Sequence, residues 1–335
     1  MDNLTHTLTA IAISQTGLNR KTRFATVTLI LAGNAPDIDI IWGLKGSIAY
    51  LEHHRGIAHS LIGITALAFI VWGAVCWLGK RAKPKPGLPL NPRWLLLAAL
   101  LGTGSHLLLD FTNSYGVRPF LPFSGRWYAW DIMFIVDPLL LAALILGLGV
   151  PWLLRLVSEE VGGQKMRMVP GAVFCLSAML ALWGVRDFAH RRALSILDSH
   201  NYSGELPQRF SAFPAMANPF TWTGLVETET AFHAVTVNAL DANGVPEEIE
   251  TFAKPQPSPA LTTAMRTHGG KVILDFARYP WAQVDETEDG YQVTLSDLRF
   301  FNPSAQSPGF TLQVDLDKNS QTRSEKLYFT APARK

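Results

Sequence analysis

The sequence predicts an α+β protein: a polytopic α-helical membrane bundle followed by a small antiparallel β-rich soluble domain. Three observations predict it. Hydrophobic residues make up 48% of the 335 and charged residues only 17%, which is apolar for a soluble chain of this length. The excess is concentrated before about Phe188, so the chain divides into residues 1–188 and 189–335. The second part reads as short alternating runs punctuated by turn residues.

Taken in order, Leu4 to Leu18 and Ala25 to Trp42 are two shorter N-terminal segments, the second interrupted by "GNAPDID". Both are too polar or too broken to face lipid all round and are expected as shielded helices packed on the bundle. Leu61 to Leu78, Trp94 to Leu109, Ile132 to Leu156 and Val169 to Val185 each approach the roughly 20 residues that cross hydrocarbon, giving four full spans. Asp2 and His6 stand where a signal peptide carries its basic region, so the N-terminus is expected to be retained. Cys76 and Cys175 both fall inside predicted spans, where a thiol serves as a small apolar filler.

The net charge of +2 says little, but its distribution is informative. Arg20, Lys21 and Arg23 form one basic connection; Lys80, Arg81, Lys83, Lys85 and Arg93 a second; Arg155, Lys165 and Arg167 a third. The positive-inside rule makes these cytoplasmic. If the two short segments also cross, six helices alternate, and the remaining loops and the C-terminal domain lie outside the cytoplasm. The basic residues follow topology rather than forming a patch with interleaved aromatics, so nucleic-acid binding is not expected.

The same topology brings His6, Asp37, Asp39, His53, His54, His59, His106, Asp110 and Asp131 to one membrane face. Singly these are ambiguous. His106 and Asp110 in "GSHLLLD" share a helix face at i and i+4, as ligands or as a hydrogen-bonded pair. Asp37 and Asp39 in "NAPDID" either converge on a cation or decorate a polar loop with a helix cap. In "HHRGIAHS", Gly56 allows a turn that points His54 and His59 into one pocket; solvated interfacial histidines are the alternative. Asp137 before Pro138 fits a helix cap at least as well as a chemical role, and Asp131 is a site carboxylate, a cap or an edge residue. Together, ionisable groups at membrane level mark function. Nitrogen and carboxylate donors without thiolate suit zinc, manganese or iron, in numbers sufficient for two or three divalent ions.

These motifs resemble the YdjM family of inner-membrane, predicted metal-dependent hydrolases. The matching residues are "THTL" around His6, "AGNAPDID", "HHRGIAHS", "GSHLLLDFTNSYGVRPFLPFS" and "WDIMFIVDP", in order over about residues 1–150. "NPFTWTGLVETE", "FARYPWAQV" and "VTLSDLRF" extend the likeness into the C-terminal region. The family is in turn remotely similar to zinc-dependent phospholipases C and related nucleases, which implies hydrolysis of a phosphoester in a bacterial inner membrane. The resemblance implies His6, Asp37, Asp39, His54, His59, His106 and Asp110 as metal ligands. His54 is taken by register, since two adjacent histidines precede Arg-Gly where the family pattern needs one, and His53 is left beside it.

The expected activity is a metal-activated water attacking a phosphoester such as a lipid head group at the non-cytoplasmic face. Asp131 is the spare carboxylate, as ligand or base. Arg55 suits bidentate recognition of phosphate, or equally meets lipid phosphates at the interface; Arg118 and Arg126 are weaker candidates. Ser60 either supports a ligand or bonds its own backbone. The competing expectations are a metal transporter, disfavoured because two of the spans contain no ionisable residue, and an envelope protein whose metal only braces helices.

In the C-terminal part, "AFHAVTVNALDANGVPEEIETF", "WAQVDETEDGYQVTLSDLRF" and "GFTLQVDLDKNSQTRSEKLYF" each predict two strands about a turn, together one antiparallel sheet with minor helix. His233 and His268 are isolated and expected to be ordinary. The domain's role is to cover the pocket, recruit a partner or select substrate.

Overall fold

The structure is a computed structural model that describes residues 1–82, 87–161, 168–241, 244, 246–302 and 307–329. Lys83, Lys85, Lys165 and Arg167 of the basic connections, and Asn243 of the first hairpin turn, lie outside the described residues. Contacts divide the chain into two units. The first comprises Met1–Asp39, Arg55–Phe188 and Met216–Pro219; the second comprises Ile40–His54, Ala189–Ala215 and Phe220–Lys335. The break after Phe188 is therefore accompanied by the grouping of Ile40–His54 with the C-terminal unit.

The first unit is helical, with α1 (Asn3–Gln15), α2 (Ala25–Asn34), α4 (Leu61–Arg81), α5 (Pro92–Phe111), α6 (Pro138–Glu160) and α7 (Val169–Asp198) up to Phe188; α3 (Ser47–His53) and the end of α7 from Ala189 belong to the second unit. Local chemistry sets the starts. Asp2 accepts the Thr5 N–H, Ser60 the Gly63 N–H, and Asn91 and Asp137 precede prolines at the first turn of α5 and α6, where the missing N–H costs nothing. Among the described residues, five segments are long and apolar enough to cross a membrane: Ala25–Lys45, Leu61–Arg81, Pro92–Phe111, Pro138–Glu160 and Val169–Asp198. This revises the expectation of four. The "GNAPDID" interruption does not end the helix, because α2 continues as a tight three-residue-per-turn stretch, Ala35–Lys45, in which a proline near the start is tolerated.

The bundle is held by two kinds of packing. Leu109, Ile132, Met133, Leu140, Leu144, Cys175, Met179 and Trp183 form an apolar core among α1, α5, α6 and α7. Small residues let α2, α4 and α5 approach: Ala32, Ala68 and Ala99 meet, and a Cβ on Gly102 would stand 2.7 Å from Ala32 Cβ and 2.9 Å from the Leu29 carbonyl. Such close backbone approach is how membrane helices gain contact where lipid removes the hydrophobic drive. The large apolar side chains on the outside, including Phe69, Ile70, Trp77, Leu146 and Leu153, suit hydrocarbon.

Among its described residues the second unit holds two four-stranded antiparallel sheets rather than the expected one. β1 (Arg209–Pro214), β2 (Thr221–Glu227), β3 (Ala231–Asn238) and β4 (Glu247–Ala253) run in sequence order. β5 (Pro280–Thr287) and β6 (Gly290–Asp297) form a hairpin; β7 (Phe301–Asn302) and β8 (Ser307–Pro308) are a minor pair; β9 (Thr311–Asp317) and β10 (Thr322–Tyr328) complete the order β10-β9-β6-β5. The separation arises because α8 (Pro259–Arg266) and α9 (His268–Phe276) intervene between β4 and β5. Gly290 is required at the β5–β6 turn: its φ is +152° and a Cβ would lie 2.1 Å from the Leu316 carbonyl, a placement that only glycine accepts without strain. The last turns of α7 pack Ala189, Ala193, Ile196 and Leu197 against Trp222, Val226, Val235 and Val237 of the first sheet.

Candidate metal centre

Three elements of the first unit deliver four ionisable side chains to one buried point. α5 supplies His106 and Asp110 one turn apart, both essentially fully buried. The tight helical stretch after α2 supplies Asp37, and a single helical turn, Ile57–His59, supplies His59 just ahead of α4. That turn is fixed by Ser60, whose hydroxyl donates to the Ile57 carbonyl and accepts the Gly63 N–H. Ser60 thus bonds its own backbone, one of the two roles open from sequence.

Asp37, His59, His106 and Asp110 each present a donor atom, all within 4.8 Å of one another. His59 Nε2 lies 3.0 Å from His106 Nε2, 3.7 Å from Asp37 Oδ1 and 3.4 Å from Asp110 Oδ2. His106 Nε2 lies 3.6 Å from Asp37 Oδ1 and 3.5 Å from Asp110 Oδ2. A tetrahedral cation with bonds of about 2.0–2.1 Å has donor–donor edges of about 3.3–3.4 Å. These five edges scatter around that value and the Asp37–Asp110 edge lies within 4.8 Å, so the four donors are close enough to share a small divalent ion.

The surrounding groups set donor character. His106 Nδ1–H donates to the Gly33 carbonyl at 2.8 Å, which leaves Nε2 with its lone pair toward the centre. His59 Nδ1 faces Asp39 Oδ2 at 3.1 Å. Burial works against a charged His59, but the facing carboxylates of Asp110, Asp37 and Asp39 outweigh it and raise the imidazole to about 10. A cation at the centre would take the place of the proton on Nε2. Asp110 Oδ2, fully buried, has no hydrogen-bond donor among the described residues; an orphaned carboxylate oxygen facing two imidazole nitrogens is the strongest sign that a cation belongs there.

His6 is stacked on His106 with ring centroids 3.9 Å apart, and its Nε2 is 3.4 Å from Asp110 Oδ1. Neither ring nitrogen has a hydrogen-bond partner among the described residues although the side chain is buried. The same Asp110 oxygen meets the Met1 amino group and Arg55 Nη2.

Other expected residues lie elsewhere. Asp39 sits behind His59 rather than at the centre, accepting the Arg55 N–H at 2.8 Å: two positions apart on a helix of three residues per turn, Asp37 and Asp39 point in different directions. His54 is not among the groups that meet. It follows α3 in extended conformation, half-buried, stacked on Tyr50 at 4.6 Å. Arg55 then adopts a left-handed φ of +53°, which reverses the chain and sends His59 inward; the turn is made at Arg55 as well as at Gly56. His53 stacks on Trp42 and bonds the Ala49 carbonyl. Asp131 is buried with φ +59° and is not part of the four-donor group.

The Arg55 guanidinium is engaged by protein rather than open to substrate. It is 4% exposed. Nη2 donates to Asp110 Oδ1 at 2.9 Å, and Nη1 donates to Asn113 Oδ1 at 2.9 Å and the Gly116 carbonyl at 3.1 Å, with the Tyr115 ring 4.7 Å away. Arg118 is likewise buried, over Trp127, and Arg126 lies over Tyr128. Asp137 caps α6 and pairs with Arg186. Sequence reasoning missed Asn113 and the Gly33 carbonyl. Asn113 stands inside "DFTNSYG" and carries a signal only as a polar residue three after Asp110; a main-chain carbonyl has none.

A buried His/Asp group that could hold a metal ion, inside a bundle with five candidate spans among the described residues, fits a membrane protein of the metal-binding class. Residues 1–191, more than half of the chain, match the family described as YdjM inner membrane protein, and the chain belongs to that family. It is similar to "Uncharacterized protein YfhP" of Bacillus subtilis (strain 168), 27% identical over 320 residues that cover 90% of this chain and 87% of the relative. That likeness extends through the C-terminal unit. No solved structure matches.

Proposed function

We propose that the protein is a membrane-bound, metal-dependent hydrolase that cleaves a phosphoester, such as a lipid head group, at the non-cytoplasmic face of a bacterial inner membrane, with the C-terminal unit on that side. The observation that carries this reading is the unequal burial of the four donors. His59 and His106 have side chains 0% exposed and Asp110 1%, whereas Asp37 is 20% exposed. A centre meant only to brace helices is closed on all sides; one that handles substrate keeps a side accessible. Here the accessible side is Asp37. Its Oδ2 accepts from Asn3 at 3.1 Å, and Leu4 and Ile38, next in sequence to these two, are exposed apolar residues. A polar opening edged by apolar side chains suits an amphiphilic substrate.

Asp37, His59, His106 and Asp110 would hold the ion, zinc, manganese or iron by their nitrogen and oxygen chemistry, and when bound it supplies Lewis-acid charge and an acidified water. The chain's own groups do the rest. Asp37 Oδ2, at the open corner, accepts the proton of an incoming water, with Asn3 orienting the carboxylate. Gly33 and Asp39 hold the two imidazoles in fixed tautomer and direction. His6, with neither ring nitrogen hydrogen-bonded among the described residues, would be available as a further nitrogen donor beside the centre.

A second reading has support of its own: four protein donors complete a tetrahedral shell, as in structural sites. Metal analysis of detergent-purified protein, with hydrolysis assays on phospholipids and phosphodiesters, separates the two. Stoichiometric metal with turnover lost in His106→Ala and Asp110→Asn supports the hydrolase. Stoichiometric metal without turnover on any ester supports the structural role, and turnover surviving both substitutions removes the site assignment.

A further inference from the structure

The centre depends on how Asp110 is turned. Only if Oδ1 is held elsewhere does Oδ2 stay on His59 and His106, and Oδ1 is held by Arg55 Nη2 together with the Met1 amino group. Arg55 is in turn oriented by acceptors around Nη1, of which Asn113 Oδ1 is the one side-chain oxygen among the described residues, at 2.9 Å. Asn113 is itself fully buried and pinned, its Oδ1 also accepting the Tyr115 N–H at 3.0 Å. Two donors on one oxygen fix which end of the amide is which. Its Nδ2 makes no hydrogen bond among the described residues, so the oxygen is the functional end.

We infer that Asn113 is a positioning residue for the metal centre: it aims the Arg55 fork, which locks Asp110 with Oδ2 toward the ion. The inference rests on the metal-centre reading, not on the hydrolase reading, and nothing in it requires Asn113 or Arg55 to touch substrate. Removing an outer partner of this kind lowers metal affinity by about 10–100-fold.

The test compares full-length, detergent-solubilised wild type, Asn113→Leu and Asn113→Asp by competition for zinc against a chromophoric chelator. Metal-free thermal melts run alongside report folding. Asn113→Leu keeps the volume and loses the oxygen, and is expected to bind about 10–100-fold more weakly. Asn113→Asp keeps the oxygen and forfeits no hydrogen bond at the other end, and is expected to stay within about threefold of wild type, a difference well below one charged hydrogen bond. The inference is overturned if Asn113→Leu binds zinc as wild type does, or if Asn113→Asp is as weak as Asn113→Leu. A purely structural role predicts a lowered melt in Asn113→Leu with unchanged affinity of the folded fraction, which also overturns it. Wild-type protein that binds no zinc, manganese or iron would instead fail the metal-centre reading itself.

Discussion

Replacing Asp137 by Asn removes one charge from a pair sealed on both sides. Asp137 and Arg186 are fully buried and joined at 2.6 Å. Asp137 Oδ1 also accepts the Leu139 and Leu140 N–H groups at 3.0 Å each, and Arg186 Nε and Nη1 have no partner among the described residues. Because Asp137→Asn keeps an oxygen for the helix cap, its loss is confined to the pair and leaves an uncompensated buried guanidinium, about 3–5 kcal/mol. Arg186→Met leaves a carboxylate with two N–H donors still on it, so the lower end, about 3 kcal/mol, is expected. The double variant removes both charges and should fall within about 1–2 kcal/mol of wild type. The cycle therefore predicts a coupling above about 3 kcal/mol. Unfolding of the full chain in detergent, followed by circular dichroism and by labelling of Cys175, provides the measurement; Cys175 is fully buried in the core between α6 and α7, so it reports local opening. Single losses that add in the double variant would refute the reasoning, as would either single variant lying within about 1 kcal/mol of wild type, the range of ordinary surface substitutions.

Three further outcomes are expected. Asp39→Ala leaves His59 Nδ1 without its carboxylate and should weaken metal binding about 10–100-fold, read by the same chelator competition; unchanged affinity would show that Asp39 does not orient His59. Gly102→Val pushes α5 off α2, where even a Cβ meets Ala32 and the Leu29 carbonyl; it should destabilise by about 1–3 kcal/mol and also weaken metal binding, because the His106–Gly33 bond spans that crossing. In the C-terminal unit, burial would raise Glu227, but Lys254 at 3.0 Å and Arg209 at 2.7 Å hold it below its ordinary 4.5. A depressed carboxylate contributes stability that is present above the ordinary value and lost as pH falls through the folded one. Glu227→Gln should therefore flatten the acid limb of the stability profile below about pH 4.5, measured by denaturant titration at several pH values.

Much of the fold and part of the centre were legible because they depend on local periodicity. The i, i+4 spacing of His106 and Asp110 survives as a shared face of α5, and the Asp-Gly turn survives as the β5–β6 hairpin with Gly290. What failed to show depends on backbone choices that composition does not encode. Pro36 signalled a break, yet the chain tightened instead of stopping, which gave a fifth candidate span and turned Asp39 away from Asp37. Arg55 signals only its charge in sequence, but its left-handed backbone decides that His59 enters and His54 stays with α3. Sequence predicts one sheet because the α8–α9 pair consists of helices of only 8 and 9 residues, too short for their periodicity to stand out from the strands around them. Its amphipathic side still buries Leu261, Val272, Ile273 and Phe276.

The atom that fixes His106 is the oxygen of Gly33, a main-chain group. No side-chain exchange can delete it, and any residue placed at 33 would bring the same carbonyl. Its position is altered only by shifting one helix against the other, so the ring's orientation is governed by inter-helix spacing and not by the identity of a neighbour. Inherited variation at this spot would therefore be filtered by size: residues too bulky for the crossing would disturb the histidine from a distance, and small ones would pass unnoticed.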